Sequence, residues 1–402
     1  MPTSTDTASP HKGTSFFWID AMKGFAILWI ILYHAALVLF AVPGYFHPFD
    51  HPKNSWPGIG ERIVALAPLD IGGITGLLTN TIRYFSWLGY QGVHLFLVLS
   101  GLGLALSVAR RGGVVDIGQF YRRRLFRIFP EYWAAHAFFI ATYLLIGTPW
   151  VDPISYMTAM SLAGLRFLPE TFSYIATAWW YVGLIIQLYL LFPLLWAWLQ
   201  RFGTRHFLIG TAIITIVMRF VTLLLLDVRI EYWSMGVLFT NRLFEFCLGM
   251  ALGLQLASDP EWLTRLLRHW WPAALGLYLL GLAASLSVIG SVFAPLLIAA
   301  GLFGLLYQFI HLLPSLGQRL FVRVGLISYA IYLLHHPIII AAANRMSIQS
   351  SLLAGHLLSA IALIIAIAFL FQKVLDRIIR SLQQRIASRF GSRAVPVANE
   401  RL

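Results

Sequence analysis

Ten predominantly apolar stretches dominate this chain, and each is long enough to cross the roughly 30 Å hydrocarbon core of a bilayer as a helix. They cover residues 17 to 42, 87 to 109, 125 to 147, 176 to 199, 207 to 226, 235 to 256, 271 to 288, 290 to 313, 323 to 346 and 352 to 375. Of the 402 residues, 59% are hydrophobic and 11% are charged, which excludes a soluble globular fold. The sequence predicts an all-α, polytopic membrane helix bundle of about ten transmembrane helices.

The basic residues indicate how this bundle is oriented. Lysine and arginine number 29 against 16 acidic residues, and most of them fall on alternate connections between the apolar stretches. These are Lys12 and Lys23; Arg110, Arg111, Arg122, Arg123, Arg124 and Arg127; Arg201 and Arg205; Arg265 and Arg268; Arg319 and Arg323; and seven cations from Lys373 to Arg401. This pattern predicts that both termini are cytoplasmic. The charge therefore serves orientation and contact with anionic membrane lipid, and no nucleic-acid partner is expected.

The pattern divides the chain into a polar cytoplasmic tail (1–16), one membrane domain (17–375) and a basic cytoplasmic tail (376–402). Two outward connections, 43–86 and 148–175, are long enough to receive an extracytoplasmic acceptor. No stretch fits a soluble domain, so any chemistry belongs to the membrane bundle itself. Cys247 is alone in the chain and is expected to be a packing residue.

The first apolar stretch contains two ionisable residues, Lys23 and His34, eleven positions apart. Eleven residues are about three helical turns, so both side chains project from nearly the same face, about 16 Å apart. Ionisable groups in lipid are costly and mark functional sites by default. His34 is therefore the first candidate for a reactive residue.

Arginines at the start of the third stretch form the second candidate site. Arg124 and Arg127 are three residues apart and share a helical face, and Arg123 is adjacent. Guanidinium groups held together in this way bind phosphate. The alternative is that these arginines only anchor the helix at the cytoplasmic surface.

Other polar residues at membrane depth have two possible roles each. Arg242 and Glu245 are spaced i and i+3 and suit either a structural ion pair or an active-site element. Gln187 suits a polar contact between helices, as does His94. His335 precedes Pro337, which frees a backbone carbonyl and kinks the helix, and the imidazole is either structural or catalytic. Gly249 and Gly253 are spaced for close helix packing.

Several motifs are absent from the sequence. It contains no phosphate-binding loop of Walker type, no H-E-x-x-H, no G-x-S-x-G and no Cys/His metal cluster. Neither nucleotide hydrolysis, a metal nor a tightly bound cofactor is indicated. The remaining buried His, Arg and Glu residues fit two classes, a membrane enzyme and a transporter or flippase with a substrate or proton path.

Six segments, in their order along the chain, resemble the family 3 membrane acyltransferases, which O-acylate extracytoplasmic glycans and other acceptors. They are Ile19 to Ala26 leading to His34, Gly92 to Gly101, Arg123 to Trp133, Trp180 to Pro193, Arg242 to Gly249, and Ser328 to Pro337. The resemblance covers nearly all of residues 16 to 375. It favours the enzyme over the transporter.

The resemblance implies a role for several residues. His34 would be the catalytic residue, Lys23 would assist it, and Arg124 and Arg127 would handle acyl-coenzyme A; Asp20 lies in the same opening segment as Lys23. Three positions depart from the family pattern. Lys23 stands where arginine is usual, His94 where an acidic residue is common, and Ile185 and Ile186 where a Glu-Glu pair is frequent. Roles of acidic groups at the last two places do not transfer.

The function that follows is an O-acyltransferase of a cell membrane, the bacterial inner or plasma membrane. It would move an acyl group, with acetyl preferred, from cytoplasmic acyl-CoA to a hydroxyl of an extracytoplasmic acceptor, with a glycan preferred. The phosphates of coenzyme A would dock on Arg123, Arg124 and Arg127. His34 would act as general base or carry the acyl group briefly, and Lys23 would hold a phosphate or stabilise negative charge.

Overall fold

The computed structural model describes residues 16–39, 72–147, 151–225, 238–343 and 353–390. Within these residues the fold is all-helical, without a β-strand. The tail before residue 16, the tail after residue 390, and the internal residues 40–71, 148–150, 226–237 and 344–352 lie outside the described part. The predicted all-α architecture is confirmed for the part of the chain that is described.

The described residues up to 225 include seven α-helices. They are α1 (Phe17–Leu39), α2 (Gly73–Trp87), α3 (Gly92–Arg110), α4 (Ile117–Leu145), α5 (Tyr156–Leu162), α6 (Pro169–Phe172) and α7 (Trp180–Phe220), with short 3-10 turns at Leu88–Gln91 and Thr177–Trp179. The apolar stretches 176 to 199 and 207 to 226 both fall largely in α7. Gly203 interrupts α7 with φ 76° and ψ 166°, a conformation that suits glycine.

The described residues from 238 onward include six more α-helices, preceded by a 3-10 turn at Phe239–Arg242. They are α8 (Leu243–Ser258), α9 (Trp262–Ala284), α10 (Gly290–Leu312), α11 (Ser315–Leu326), α12 (Ser328–Ala343) and α13 (Leu353–Phe390). The helix α13 continues past residue 375 into the segment predicted as a basic tail.

Five of the described helical segments are long and apolar enough to cross a membrane, or six if the bent pair α11 and α12 is one span. This is fewer than the ten stretches predicted. One segment joins α2 to α3 and another includes the whole of α7. The helix α8 has 16 residues, α4 contains four arginines and a glutamate, and α9 contains two arginines. The number of about ten and the cytoplasmic location of the termini remain predictions.

Two predicted boundaries were wrong. Residues 73–86, expected in an outward connection, form α2, which leads directly into α3. The stretch 323 to 346, expected as one helix kinked near Pro337, is broken at Ile327, where α11 and α12 meet at 74°. Hydropathy does not reveal this break, because the residues directly before and after it, 324–326 and 330–334, are predominantly apolar.

The arginines at and around the α3–α4 connection lie at one end of the bundle, which we call the arginine-rich end. The Arg110 guanidinium lies 4.7 Å from the ring of Phe16, which places the start of α1 beside the end of α3. Trp196 of α7 donates to the carbonyl of Gly113 in the α3–α4 connection (2.8 Å). These contacts agree with the predicted alternation of basic connections.

Glycines allow helix backbones to touch at two crossings. A Cβ atom on Gly249 of α8 would lie 1.9 Å from the carbonyl oxygen of Val98, and one on Gly101 of α3 would lie 2.0 Å from that of Phe246. At the second crossing, a Cβ atom on Gly325 of α11 would lie 1.9 Å from the Asp20 carbonyl oxygen of α1. The predicted packing role of Gly249 is confirmed.

We expect Gly101→Ala to destabilise the folded protein by about 1–3 kcal/mol, because the added methyl group must push α3 away from α8. Gly103→Ala is the matched control, since it lies two residues along the same helix and a Cβ atom there meets nothing within 4 Å. Thermal unfolding of both variants in detergent is the measurement. Equal stability of the two variants would contradict the observed crossing.

Candidate functional site

Two histidines from distant parts of the sequence meet in the bundle. His34 of α1 and His335 of α12 are 301 residues apart, and His335 Nε2 lies 3.2 Å from His34 Nδ1. Their ring centroids are 5.0 Å apart, and the ring of His336 lies 5.2 Å from that of His34. His335 is 0% exposed, whereas His34 keeps intermediate exposure. We call His34 and His335 the histidine pair.

Backbone carbonyls orient both imidazoles. His335 Nδ1 lies 2.6 Å from the Tyr332 carbonyl oxygen, and His34 Nδ1 lies 3.0 Å from that of Ile30. Each acceptor is on the same helix as the imidazole it contacts. The ring orientations are therefore set largely by α1 and α12 themselves.

Residues 151–179, which include the described part of the second long connection and were expected to begin as a loop, form a folded segment that contacts α12 beside the histidine pair. Arg166 is fully buried in this segment and donates to the Ser161 hydroxyl (2.5 Å), the Tyr132 hydroxyl (2.8 Å) and several backbone carbonyls. Trp179 donates to the Leu333 carbonyl of α12 (2.8 Å). The segment thus ties α4 to α12 next to His335.

Lys23 does not reach the histidine pair. Its Nζ atom forms an ion pair with Asp20 Oδ1 at 3.0 Å, and the two side chains are 23% and 29% exposed. Eleven helical residues separate Lys23 from His34 by about 16 Å along α1. The structure thus brings together Asp20 and Lys23, two of the residues singled out in the sequence, but at the level of the arginine-rich end.

The arginine-rich end contains a small pocket of ≈ 30 Å³ between the end of α3 and the start of α4. Arg111, Arg123 and Arg124 line it, together with Asp116 and apolar residues. Arg124 lies between aromatic rings, with its Cζ atom 5.8 Å from Phe120 and 5.9 Å from Tyr189. The pocket concentrates positive charge and therefore suits an anionic group.

The pocket differs from the predicted arginine set. Arg123 and Arg124 belong to it, and Arg123 is oriented by Gln119 (2.7 Å). Arg127 is exposed and does not line the pocket, although it follows Arg124 by three residues. The third arginine that lines the pocket is Arg111, for which the sequence predicted only a role in membrane orientation. In the sequence Arg111 directly precedes two glycines, Gly112 and Gly113, and such a pair predicts a tight turn. Both glycines have positive φ in the structure.

A buried charge cluster joins α3 to α8. Glu245 Oε1 lies 3.0 Å from His94 Nδ1 and 3.1 Å from Arg242 Nη1, and all three residues are at most 2% exposed. Arg219 is buried as well and donates to the Ser291 carbonyl (2.6 Å). His94 makes the contact between helices that the sequence predicts, and Arg242 and Glu245 form an ion pair.

Gln187 likewise connects two elements. Its Nε2 atom donates to the Gly183 carbonyl (3.2 Å) within α7, and its Oε1 atom accepts from the Phe239 amide (3.3 Å) just before α8. This is the conservative role expected for it. In the described residues, no group of three or more His, Cys, Asp or Glu side chains is placed to hold a metal ion.

The histidine pair and the arginine pocket are connected along α4 and α12. Tyr329 of α12 donates to the Ile128 carbonyl of α4 (3.2 Å). At 1.5 Å per residue, Arg124 precedes Ile128 by about 6 Å along α4, and His335 follows Tyr329 by about 9 Å along α12. The pocket and the pair are therefore separated by about 15 Å in depth.

These features define an integral membrane protein with a basic pocket at one end and an imidazole pair inside the bundle. The family model described as the acyltransferase domain of the family 3 acyltransferases matches residues 16–373. The chain therefore belongs to this family and is a membrane acyltransferase. No curated protein and no solved structure matches the chain significantly.

Proposed function

We propose that the protein is an O-acyltransferase of the bacterial cell membrane. It takes an acyl group, with acetyl preferred, from cytoplasmic acyl-CoA and transfers it to a hydroxyl of an extracytoplasmic acceptor, with a glycan preferred. The observation that supports this best is the histidine pair, with His34 partly exposed and about 15 Å in depth from the arginine pocket. An extended pantetheine arm covers such a distance.

The donor end of this proposal is the arginine pocket. Coenzyme A carries several phosphate groups, and Arg111, Arg123 and Arg124 offer donors for charge-assisted hydrogen bonds to them. Arg127 and the Asp20–Lys23 pair belong to the same end and stay candidates for phosphate contacts outside the pocket. The thioester then extends along α4 and α12 towards His34.

The chemical step needs a base at the inner end of this path. His34 takes the proton of the acceptor hydroxyl, the oxygen attacks the thioester carbonyl, and the carbon–sulfur bond breaks. The proton on His34 then passes to the departing thiolate, giving free coenzyme A and the acylated acceptor. If His34 carried the acyl group itself, its imidazole nitrogen would attack the thioester carbonyl and the carbon–sulfur bond would break, releasing the thiolate. The acceptor hydroxyl would then attack the acyl-imidazole, the carbon–nitrogen bond would break, and the hydroxyl proton would pass to the thiolate.

The test is acyl transfer by the protein in liposomes, using acyl-CoA labelled in the acyl group. We expect free coenzyme A to be released and the label to become covalently attached to an acceptor supplied on the opposite side. Mass spectrometry of surface glycans from cells with and without the protein identifies the acceptor by a mass difference of one acyl group. Passage of an intact substrate across the membrane without acyl transfer would contradict the proposal and support a transporter.

We expect Arg124→Ala to raise the KM for acyl-CoA by about 10- to 100-fold with little change in kcat, because one charge-assisted contact to phosphate is lost. Arg122→Ala removes the same charge from an exposed neighbouring position that does not line the pocket, and it is the matched control. Steady-state kinetics in liposomes measure both. If the two variants behave alike, the arginines act only through net charge.

A further inference from the structure

His336, the residue after His335, brings a third imidazole to the histidine pair, and the proposed chemical step gives it no role. Its ring centroid lies 5.2 Å from that of His34, with an angle of 89° between the ring planes. His34 and His336 both keep intermediate exposure, whereas His335 is 0% exposed. A substrate group that reaches the ring of His34 therefore lies beside the ring of His336 as well.

The imidazole of His336 keeps hydrogen-bonding capacity that the protein does not use. Among the residues that the structure describes, its Nδ1 atom is buried and has no hydrogen-bond partner. Its ring contacts with His34 and His335 are T-shaped packing contacts. Burying a polar atom without a partner is costly, and catalytic groups are one class of residue in which such atoms are found. The N–H group of His336 is therefore a candidate donor to a substrate.

Two neighbouring hydrogen-bond donors are already engaged. Trp179 donates to the Leu333 carbonyl oxygen (2.8 Å), and Tyr332 donates to the Ala178 carbonyl oxygen. Each of these side chains has a single hydrogen to donate and uses it within the protein. A substrate would have to break these bonds to receive the same hydrogens, whereas a bond from His336 replaces no contact that the structure describes.

The proposed reaction needs such a donor. Negative charge develops on the carbonyl oxygen of the thioester when the carbonyl carbon is attacked, whether by the acceptor hydroxyl or by His34. Lys23 is about 16 Å away along α1, and the arginine pocket is about 15 Å away in depth, so neither reaches this oxygen. An N–H group held beside the attacked carbon stabilises the charge, and histidine side chains are among the donors that do so.

We infer that His336 is a further catalytic residue: its N–H group donates to the carbonyl oxygen of the thioester and stabilises the negative charge that develops there. This deepens the proposed function, on which it rests, by naming the group that holds the oxyanion. His336 neither takes up nor releases a proton in this role. The hydrogen bond weakens again when the carbonyl re-forms and the carbon–sulfur bond breaks.

Kinetics of three variants test this role. His336→Phe keeps an aromatic ring but removes the N–H group, and we expect it to lower kcat by about 10- to 100-fold with the KM for acyl-CoA changed less than about twofold. His336→Asn and His336→Gln place an amide N–H near the positions of Nδ1 and Nε2, respectively. We expect one of them to be at least several-fold faster than His336→Phe, and the faster one identifies the donating nitrogen.

The amide variants also separate this role from proton relay, because an amide donates a hydrogen bond but does not pass a proton on. His206→Phe is the control for the exchange of an imidazole for a phenyl ring, and it should keep the wild-type kcat. Unchanged kcat in His336→Phe would overturn the inference, as would two amide variants that are both as slow as His336→Phe.

Infrared spectroscopy observes the hydrogen bond directly, using acyl-CoA labelled with ¹³C at the thioester carbonyl. The His34→Ala protein binds this donor without consuming it, and a hydrogen bond lowers the wavenumber of the carbonyl band. We expect a lower wavenumber with His34→Ala than with His34→Ala/His336→Phe. Equal wavenumbers, with acyl transfer by the wild type, would overturn the inference and leave the proposed function intact. A wild type that neither binds acyl-CoA nor transfers the acyl group would overturn both.

Discussion

Glu245→Leu is expected to destabilise the folded protein by about 3–5 kcal/mol, because it leaves the Arg242 guanidinium buried without its carboxylate. Arg242 and Glu245 are at most 2% exposed, and Glu245 Oε1 also lies 3.0 Å from His94 Nδ1. No solvent is available to Arg242 at this place to replace the lost partner. Thermal unfolding in detergent measures the loss.

The matched control is the double variant Arg242→Met/Glu245→Leu, which removes both charges. Replacing a buried ion pair by apolar side chains of similar volume is often nearly neutral, whereas breaking it is costly. We therefore expect the double variant to be more stable than Glu245→Leu alone. A double variant less stable than Glu245→Leu would show that the cluster stabilises the bundle through more than charge compensation.

The same variants distinguish between the two roles that the sequence allows for Arg242 and Glu245, a structural ion pair and an active-site element. A structural pair affects the amount of folded protein, and the double variant then keeps its rate of acyl transfer per folded molecule. An active-site role lowers that rate even in a stable double variant. Within the described residues, ring contacts link His94 to His34 through Tyr90 and Tyr33, whose ring centroids are 6.1 Å apart. Because this connection is indirect, we expect the structural outcome.

The sequence predicted the family and singled out His34 and His335 as candidates, but it did not predict that the two imidazoles lie side by side. A histidine inside an apolar helix is conspicuous on its own, because an ionisable group in lipid is costly. That His335 lies beside it depends on the rotation of α12, which is set by packing. The close crossing of α1 and α11 at Gly24 and Gly325, and the break at Ile327 that follows, decide which face of α12 meets α1.

The arginines show a similar limit. Helical spacing correctly places Arg124 and Arg127 near one another on α4, but the pocket is formed by α4 together with the end of α3 and the turn between them. Arg111 enters it from that turn, whereas Arg127 remains exposed. The periodicity of one helix predicts which residues share a face. Which of those residues line a pocket depends on where the neighbouring helix packs.

The largest effect on turnover is expected from His34→Ala, which should lower the rate of acyl transfer by about 100-fold or more. The variant removes the base that takes the proton of the acceptor hydroxyl, and such bases contribute about 10²–10⁴-fold. His34 Nδ1 lies within hydrogen-bond distance of the Ile30 carbonyl oxygen and of His335 Nε2, and both of these groups keep contacts within their own helices, so the bundle should remain folded.

His206→Ala is the matched control for this variant. His206 is also on a long apolar helix, and its Nδ1 atom lies 3.1 Å from the carbonyl oxygen of Phe202 four residues earlier, as His34 does with Ile30. It is exposed and lies in the second part of α7. We expect His206→Ala to keep wild-type turnover. This result would show that the loss of activity in His34→Ala comes from the missing base and not merely from the removal of an imidazole that contacts a helix carbonyl.

The decisive measurement is the rate at which labelled acyl groups pass from acyl-CoA to an acceptor hydroxyl in liposomes with equal amounts of folded wild type, His34→Ala and His206→Ala. The proposed mechanism predicts transfer by the wild type and by His206→Ala, and a rate lowered by about 100-fold or more in His34→Ala. Transfer by correctly inserted His34→Ala at nearly the wild-type rate would contradict it.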